Sequence, residues 1–329
     1  MIEFSVITVA KNAAATLEKC IASVEMQRHP ALEYILVDGA STDETATIVA
    51  RHKSRVDRFV SEADSGIYDA MNKGLALARG RFIYFLGADD YLLDENVLSD
   101  VAGFLERTSG CDFIYGGIEV RHSDGRADIF MPPPPEEALR FLVSGCLPHQ
   151  ASFASRRAFD LAGAFDDRYR IAGDYDWFLR VVGHPQLVTR RIERVIASYR
   201  SDGVSNRLER SQPEVFAIQN AMPLFRQPEW LQRRIAIFLR DSLSYSRRAV
   251  TLSQHAPASV RLGRLTGLLV QMLTYPVERL LAALRPPSLR PKVLERLQAR
   301  VLRQRIANDA LAHRADATPY PLQPRPARD

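Results

Sequence analysis

Cysteine is scarce: Cys20, Cys111 and Cys146 lie far apart and are odd in number. Such a set supports neither a disulfide framework nor a zinc site, and it suits a reducing, cytoplasmic setting. Glycine-rich phosphate loops are missing too. No G-x-G-x-x-G follows the first apolar run, where Ala10-Lys11-Asn12-Ala13 stands instead; this disfavours a dinucleotide-binding oxidoreductase and a nucleotidyltransferase. The most apolar late stretch, Leu265 to Leu284, is interrupted by Pro276, Glu278 and Arg279, so it falls short of an uninterrupted spanning helix. Met1 leads directly into Phe4 to Ala10 with no basic segment, and no secretory signal is expected. Basic residues are not interleaved with aromatics, so nucleic acid is not an expected partner. There is no internal repeat.

What is present is a soluble globular composition, with 46% hydrophobic and 25% charged residues in 329, enough for one large domain or two ordinary ones. The net charge of +5 hides an asymmetry: from Glu214 onward 19 Lys and Arg stand against 8 Asp and Glu, and before it 25 stand against 31. An acidic first portion thus carries a basic last portion, a pattern that points to an anionic partner surface.

Phe4 to Ala10 reads as a strand covered on both faces. Leu17, Cys20, Ile21 and Val24 have helical spacing, and Tyr34 to Val37 is a second strand ending at Asp38-Gly39. Ser41 or Thr42 is the expected cap of a helix through Lys53. A short strand over 58–61, a helix through Ala78 and a strand from Phe82 complete a series of βαβ units, whose strands run parallel. Gly116-Gly117 is expected to separate a short strand from an antiparallel portion over 118–122 and 127–130. A helix from Asp174 to Val182 and two closing strands, 187–188 and 195–199, follow. Beyond Ser211 the pattern is helical and punctuated by proline; the last residues, 314–329, are expected to be disordered.

Chemistry concentrates at the end of the Phe82 strand. Gly80-Arg-Phe-Ile-Tyr-Phe-Leu86 runs into Gly87-Ala88-Asp89-Asp90. An open α/β sheet places its ligands at such carboxyl ends. Adjacent carboxylates repel and are held together by a cation or hydrogen bonds, and a hard ion such as Mg2+ or Mn2+ suits oxygen ligands. A solvated Asp-Asp turn is the plain alternative.

Five separated motifs carry a resemblance: Ser5-Val-Ile-Thr-Val9; Val37-Asp38-Gly39-Ala-Ser41-Thr42-Asp43; Glu62-x-Asp64-x-Gly66-Ile-Tyr68-Asp69-Ala70-Met71-Asn72-Lys73-Gly74; Gly80 to Asp90; and Gly173-Asp174-Tyr-Asp176. Over residues 2–205 the chain resembles the inverting family 2 glycosyltransferases of the GT-A fold, of the kind that assembles bacterial surface polysaccharides. The resemblance implies an α/β architecture, a mostly parallel nucleotide-binding sheet flanked by helices. With the helical pattern beyond it, the expected layout is a glycosyltransferase domain over 1–211, a basic helical extension over 212–313 and the tail. It implies a nucleotide-sugar donor, most simply UDP-linked with thymidine or guanosine carriers as alternatives, and a hexosyl or N-acetylhexosaminyl group passed to a glycan or lipid-linked hydroxyl.

By the same resemblance Thr8, Ala10, Lys11, Asp38, Glu62, Asp64, Asn72, Lys73, Ala88 and Asp89 would bind the donor. Asp89, with Asp90 beside it, would hold the ion. Gly87 stands where the family's Asp-x-Asp motif has its first acid, which leaves room for a second reading, a nucleotide-sugar-binding subunit without turnover. Asp174 matches the catalytic base; otherwise it is an N-cap, with Asp176 or Asp69 as the base. His149, Asp176 and Trp177 are candidates near the acceptor or diphosphate. A hydrogen-bonded structural histidine and a core tryptophan explain two of them as well. Tyr68 and Met71 could shape a sugar pocket, and Lys73 and Arg79 could meet phosphate. The basic extension suits an interfacial helix on an anionic membrane, or packing on the catalytic domain or on a second subunit in a homo-oligomer.

Overall fold

Phe4–Ala10 (β1) is apolar along both faces and therefore needs cover on both. In the computed structural model, which describes residues 2–201 and 208–237, β1 lies between two parallel neighbours, β2 (Leu32–Asp38) and β4 (Phe82–Phe85). β3 (Arg58–Ser61) extends the parallel sheet beyond β2. One face, with Phe4, Val6, Tyr34 and Leu36, packs with Cys20, Ile21 and Val24 of α1 (Leu17–Glu25) and Ile48 and Val49 of α2 (Thr45–Arg51). The other is covered by α3 (Ile67–Leu77). There a Cβ on Gly74 would overlap Ile7 and touch Val37, so glycine sets the close helix–sheet approach.

The rest of the sheet is mixed. After β5 (Tyr91–Leu92) and α4 (Val97–Arg107) come β6 (Phe113–Arg121), β7 (Ala127–Phe130), α5 (Pro135–Phe141), β8 (Ser152–Ser155), α6 (Arg156–Ala162), α7 (Gly173–Val182), β9 (Thr189–Arg200) and α8 (Leu208–Ala221). The order is β3-β2-β1-β4-β8-β6-β9-β5, with β7 on β6. β8 joins β4 antiparallel and β6 antiparallel, while β9 runs parallel to β6. The expected parallel half is thus the β3-to-β4 half, continued by an antiparallel turn of the sheet.

Several local expectations change. Gly116-Gly117 does not break the chain: β6 runs through both. A Cβ at Gly116 would lie 2.6 Å from the Arg194 carbonyl oxygen, and one at Gly117 2.8 Å from Met131 Cε. The pair permits a close irregular register with β9 rather than a turn. Of the two expected closing strands, 195–199 lies within one long strand, β9, while 187–188 precedes it and is not a strand. Neither Ser41 nor Thr42 caps α2; the Asp43 carboxylate takes the Thr45 amide at 3.0 Å and the Thr45 hydroxyl at 2.5 Å. Asp174 lies in the first turn of α7 behind the N-cap residue Ala172, so it is not the cap.

Residues up to Gln227 form one compact unit, and Pro228 opens a second. The expected boundary at 211 falls inside α8. Of the helices expected later, 228–237 is helical; the remainder, including the apolar stretch 265–284 and the tail, lies outside the described residues. Among the described residues no helix is long and apolar enough to cross a membrane.

Candidate active site

A cleft of about 380 Å3 opens at the carboxyl ends of β1 and β4, where a parallel sheet presents its ligands. Ile7, Ile67, Met71 and Phe85 give it an apolar wall. Lys11, Asn12, Ala88, Asp89, His149 and Arg200 supply the polar lining. Its rim is stitched by loop contacts. Asn12, at φ 52°, accepts the Thr42 amide on Oδ1 at 2.9 Å, and its own amide donates to the Ser41 hydroxyl at 2.7 Å. Asp43 takes the Ala14 amide at 3.0 Å.

The acid pair divides its work. Asp89 faces the cleft, whereas Asp90 is 2% exposed and accepts the Arg200 amide at 3.0 Å. Burial, and then the neighbouring Asp89 charge, push the Asp90 pKa up to about 6, against the Arg200 amide. Arg121 donates to the Asp89 carbonyl oxygen at 2.8 Å, stands 3.9 Å from Asp90 and lies over the Tyr91 ring. At Gly87 a Cβ would sit 2.6 Å from Asp90 Oδ2 and 3.2 Å from Asp89 Oδ1. The space a first acid of the motif would use is filled by the two carboxylates that follow.

Asp174, in the first turn of α7, meets the cleft through one of its lining residues, His149. Tyr68 donates its hydroxyl to Asp174 Oδ1 at 2.9 Å, the Tyr175 amide donates to the same oxygen at 2.9 Å, and His149 Nδ1 stands 3.3 Å from Oδ2. Burial alone would raise the Asp174 pKa; the His149 contact, followed by Tyr68 and the Tyr175 amide, outweighs it and brings the carboxyl below its usual 3.8. His149 shows the counterpart: burial pulls it down, but Asp174, Asp90 and Asp89 hold it above the ordinary 6.5. Half-buried, this imidazole lines the cleft together with Asp89 and contacts Asp174.

The other expected residues separate into two groups. Lys11, Ala88, Asp89 and His149 line the cleft, and Met71 shares its wall. Asp64 lies at its edge, 3.7 Å from the Lys11 ammonium, and accepts the Gly66 amide at 3.1 Å. Elsewhere the side chains are spent on structure. Thr8 is fully buried and accepts the Tyr34 hydroxyl at 3.1 Å. Ala10 is 5% exposed and its carbonyl takes the Gly39 amide. Asp38, also fully buried, is bound by the Ser41 amide and hydroxyl and by the Ser61 hydroxyl.

Asn72 makes a reciprocal amide pair with the Phe165 backbone at 2.9 and 3.0 Å. Lys73 is held by Glu62 at 2.9 Å, Asp69 at 3.5 Å and the Ala63 carbonyl. Arg79 pairs with buried Glu33 at the amino end of the sheet, far in the fold from β1's carboxyl end. Trp177 is 2% exposed, stacked on Phe159 and donating to the Gly163 carbonyl. Asp176 bonds to Arg180 at 2.9 Å; burial raises its pKa against that pairing. Sequence reasoning missed Asn12, Arg121 and Arg200. Arg200 lay one residue past the expected strand, and a cation ending a strand was its only signal.

Residues 5–160 match the model of glycosyl transferase family 2. A PGL/p-HBAD biosynthesis glycosyltransferase of Mycobacterium bovis is 37% identical over 211 residues, 62% of this chain and 79% of that protein. Among solved structures, S. aureus TarS 1-349 in complex with UDP-GlcNAc has a TM-score of 0.57 at 19% identity, covering 85% of this chain and 83% of that one. The mannosyltransferase PcManGT from Pyrobaculum calidifontis, in complex with GDP-Man and Mn2+, has a TM-score of 0.55 at 17% identity, covering 85% of each chain. These structures share the fold, the GT-A arrangement that the ordered motifs implied. With four fifths of a 37% identical glycosyltransferase covered and four of the five motifs inside the segment matched by the family model, this chain belongs to glycosyl transferase family 2.

Proposed function

We propose that the protein transfers a hexosyl or N-acetylhexosaminyl group, with inversion, from a nucleotide-sugar to a hydroxyl of a glycan or lipid-linked acceptor in surface-polysaccharide assembly. The observation that carries this reading is that Asp89 and His149 line one cleft and that His149 Nδ1 stands 3.3 Å from Asp174. UDP is the favoured carrier because the TarS structure with the same fold holds UDP-GlcNAc. The basic balance after Glu214 favours peripheral attachment to the cytoplasmic face of an anionic membrane, where a lipid-linked acceptor resides.

The acceptor hydroxyl is a poor nucleophile at neutral pH. Asp174 takes its proton as the oxygen attacks the anomeric carbon, while the bond from that carbon to the diphosphate breaks on the opposite face. Inversion follows from the single displacement. Keeping the Asp174 pKa low keeps the base ionised. Lys11 and Arg200 on the cleft wall provide positive charge for the phosphates.

A divalent ion fits as a partner held jointly with substrate. Among the described residues no group of three His, Cys, Asp or Glu could cage one. A single cleft-lining carboxylate at Asp89, backed by the Asp90 charge, suits Mg2+ or Mn2+, which bind through one or two carboxylates plus phosphates. When bound, such an ion neutralises charge developing on the leaving diphosphate. The PcManGT structure, which is in complex with GDP-Man and Mn2+, supports this.

A thermal-shift panel of UDP-, GDP- and dTDP-sugars, with and without Mn2+, tests the reading, because a ligand that binds only the folded state raises Tm by mass action. One sugar nucleotide should raise Tm in the presence of Mn2+, and Asp89→Asn should lose the Mn2+-dependent part. No shift with any member of the panel would remove the proposal. The second reading, a binder without turnover, rests on Gly87 and predicts the shift without any Mn2+-dependent hydrolysis of the donor.

A further inference from the structure

α8 lies beyond the segment matched by the family model, yet it grips the loop that carries the proposed base. Glu214, in the second turn of α8 and partly buried, accepts three consecutive backbone amides: Arg170 at 2.9 Å, Ile171 at 2.9 Å and Ala172 at 2.8 Å. These are the residues just before α7, and Asp174 is two residues further on. A carboxylate there satisfies three amides of the segment entering α7, the last of them that of the N-cap residue Ala172, and sits favourably against the α7 dipole. The same loop is tied on its other side by the Tyr68 hydroxyl, which shares its one proton between the Ile171 carbonyl at 2.6 Å and Asp174 Oδ1 at 2.9 Å. One turn further along α8, the Gln219 amide donates to the Tyr175 hydroxyl at 2.7 Å and to the Val143 carbonyl at 3.2 Å. The segment holding Asp174 is thus clamped between α3 and α8.

We infer that Glu214 is a positioning residue for Asp174, so that α8 is part of the catalytic apparatus. This rests on the reading of Asp174 as the base. Glu214 touches no cleft-lining residue in these contacts; it acts through the 170–172 backbone. Proton abstraction depends on the base lying within hydrogen-bond reach of the hydroxyl, and a displacement of about 1 Å costs roughly 100-fold in rate. Removal of the carboxylate frees three amides and lets the start of α7 move relative to His149.

The test compares Glu214→Ala, Glu214→Gln and Asp174→Asn in the full chain. Three quantities are read: amide hydrogen exchange across 168–175, the His149 titration by NMR of the imidazole, and Mn2+-dependent hydrolysis of UDP-GlcNAc. Glu214→Ala should speed exchange at 170–172 by about tenfold or more. It should move the His149 pKa towards its value in Asp174→Asn, and lower kcat roughly 100-fold with the donor KM unchanged. Glu214→Gln, which keeps one acceptor oxygen, should fall between, and it decides the matter if the alanine variant does not fold. Wild-type exchange and an unmoved His149 titration in a folded Glu214 variant would overturn the inference. If Asp174→Asn itself leaves turnover and the His149 titration untouched, the base reading fails, whatever Glu214 does; a silent Glu214→Ala beside a dead Asp174→Asn sinks the positioning role alone.

Discussion

Replacing Asp174 with asparagine alters the proposed base while leaving the shape of its site intact. The substituted side chain keeps an oxygen for the Tyr68 hydroxyl and the Tyr175 amide, both 2.9 Å from Oδ1 in the native protein. Its amide would face His149 Nδ1, now 3.3 Å from Oδ2, and a neutral imidazole can accept that bond. The structural loss is therefore the difference between a charge-assisted and a neutral hydrogen bond, about 1 kcal/mol. For a domain of this size 1 kcal/mol lowers Tm by about 2–4 °C. The catalytic loss is much larger. A general base contributes roughly 10²–10⁴ in rate, which is about 3–5 kcal/mol of barrier at 1.36 kcal/mol per tenfold. Nucleotide affinity should survive, because Lys11, Asn12, Ala88, Asp89 and Arg200 are untouched. The assay pairs sugar transfer or donor hydrolysis with calorimetric titration of the nucleotide in Mn2+. Wild-type turnover in Asp174→Asn would refute the base assignment. A parallel collapse of nucleotide affinity would show that the carboxylate serves binding instead.

Two further expectations follow from the same geometry. His149→Gln removes the cation beside Asp174. The Asp174 contribution, from a depressed carboxyl pKa, is present above about 3.8 and lost as pH falls; the His149 contribution, from a raised imidazole pKa, is present below 6.5 and lost as pH rises through the folded value. The stability gap between wild type and His149→Gln should therefore be widest between those two pH values, at about 1.5–3 kcal/mol, and shrink towards pH 8; a gap independent of pH, followed by urea unfolding, would contradict the ion pair. Gly80→Ala should cost about 1–3 kcal/mol by overpacking, since its Cβ would lie 2.5 Å from the Ser5 amide nitrogen and 2.7 Å from the Phe4 carbonyl carbon; because Gly80 is at the amino end of the sheet, nucleotide affinity should be unchanged, and an unaltered Tm would show that the backbone there can give way.

The parallel half of the fold was legible because its signals are local. β1, β2 and β4 are short apolar runs, α1 and α3 have helical spacing, and the turn at Asp38-Gly39 and the acids at Asp89-Asp90 stand at strand ends where such a sheet presents ligands. The antiparallel half was harder. Gly116-Gly117 reads as a break in one dimension, but in the sheet it is the place where β6 must pass close to the Arg194 carbonyl.

For the site, the ordered motifs and the resemblance they carry pointed to Asp89, Asp174, Lys11 and His149; the structure sets Lys11, Asp89 and His149 on one cleft and His149 3.3 Å from Asp174. Tertiary structure decided which side chains remain available for it. Asp38, Thr8, Asn72 and Trp177 are consumed by hydrogen bonds and core packing made across 14 to 93 residues of sequence, and a linear pattern contains no record of such partners. Glu214 is the converse case. Nothing in its neighbours along the chain marks it, because the three amides it holds belong to a loop more than 40 residues earlier, and only folding brings a carboxylate and its unpaired donors together.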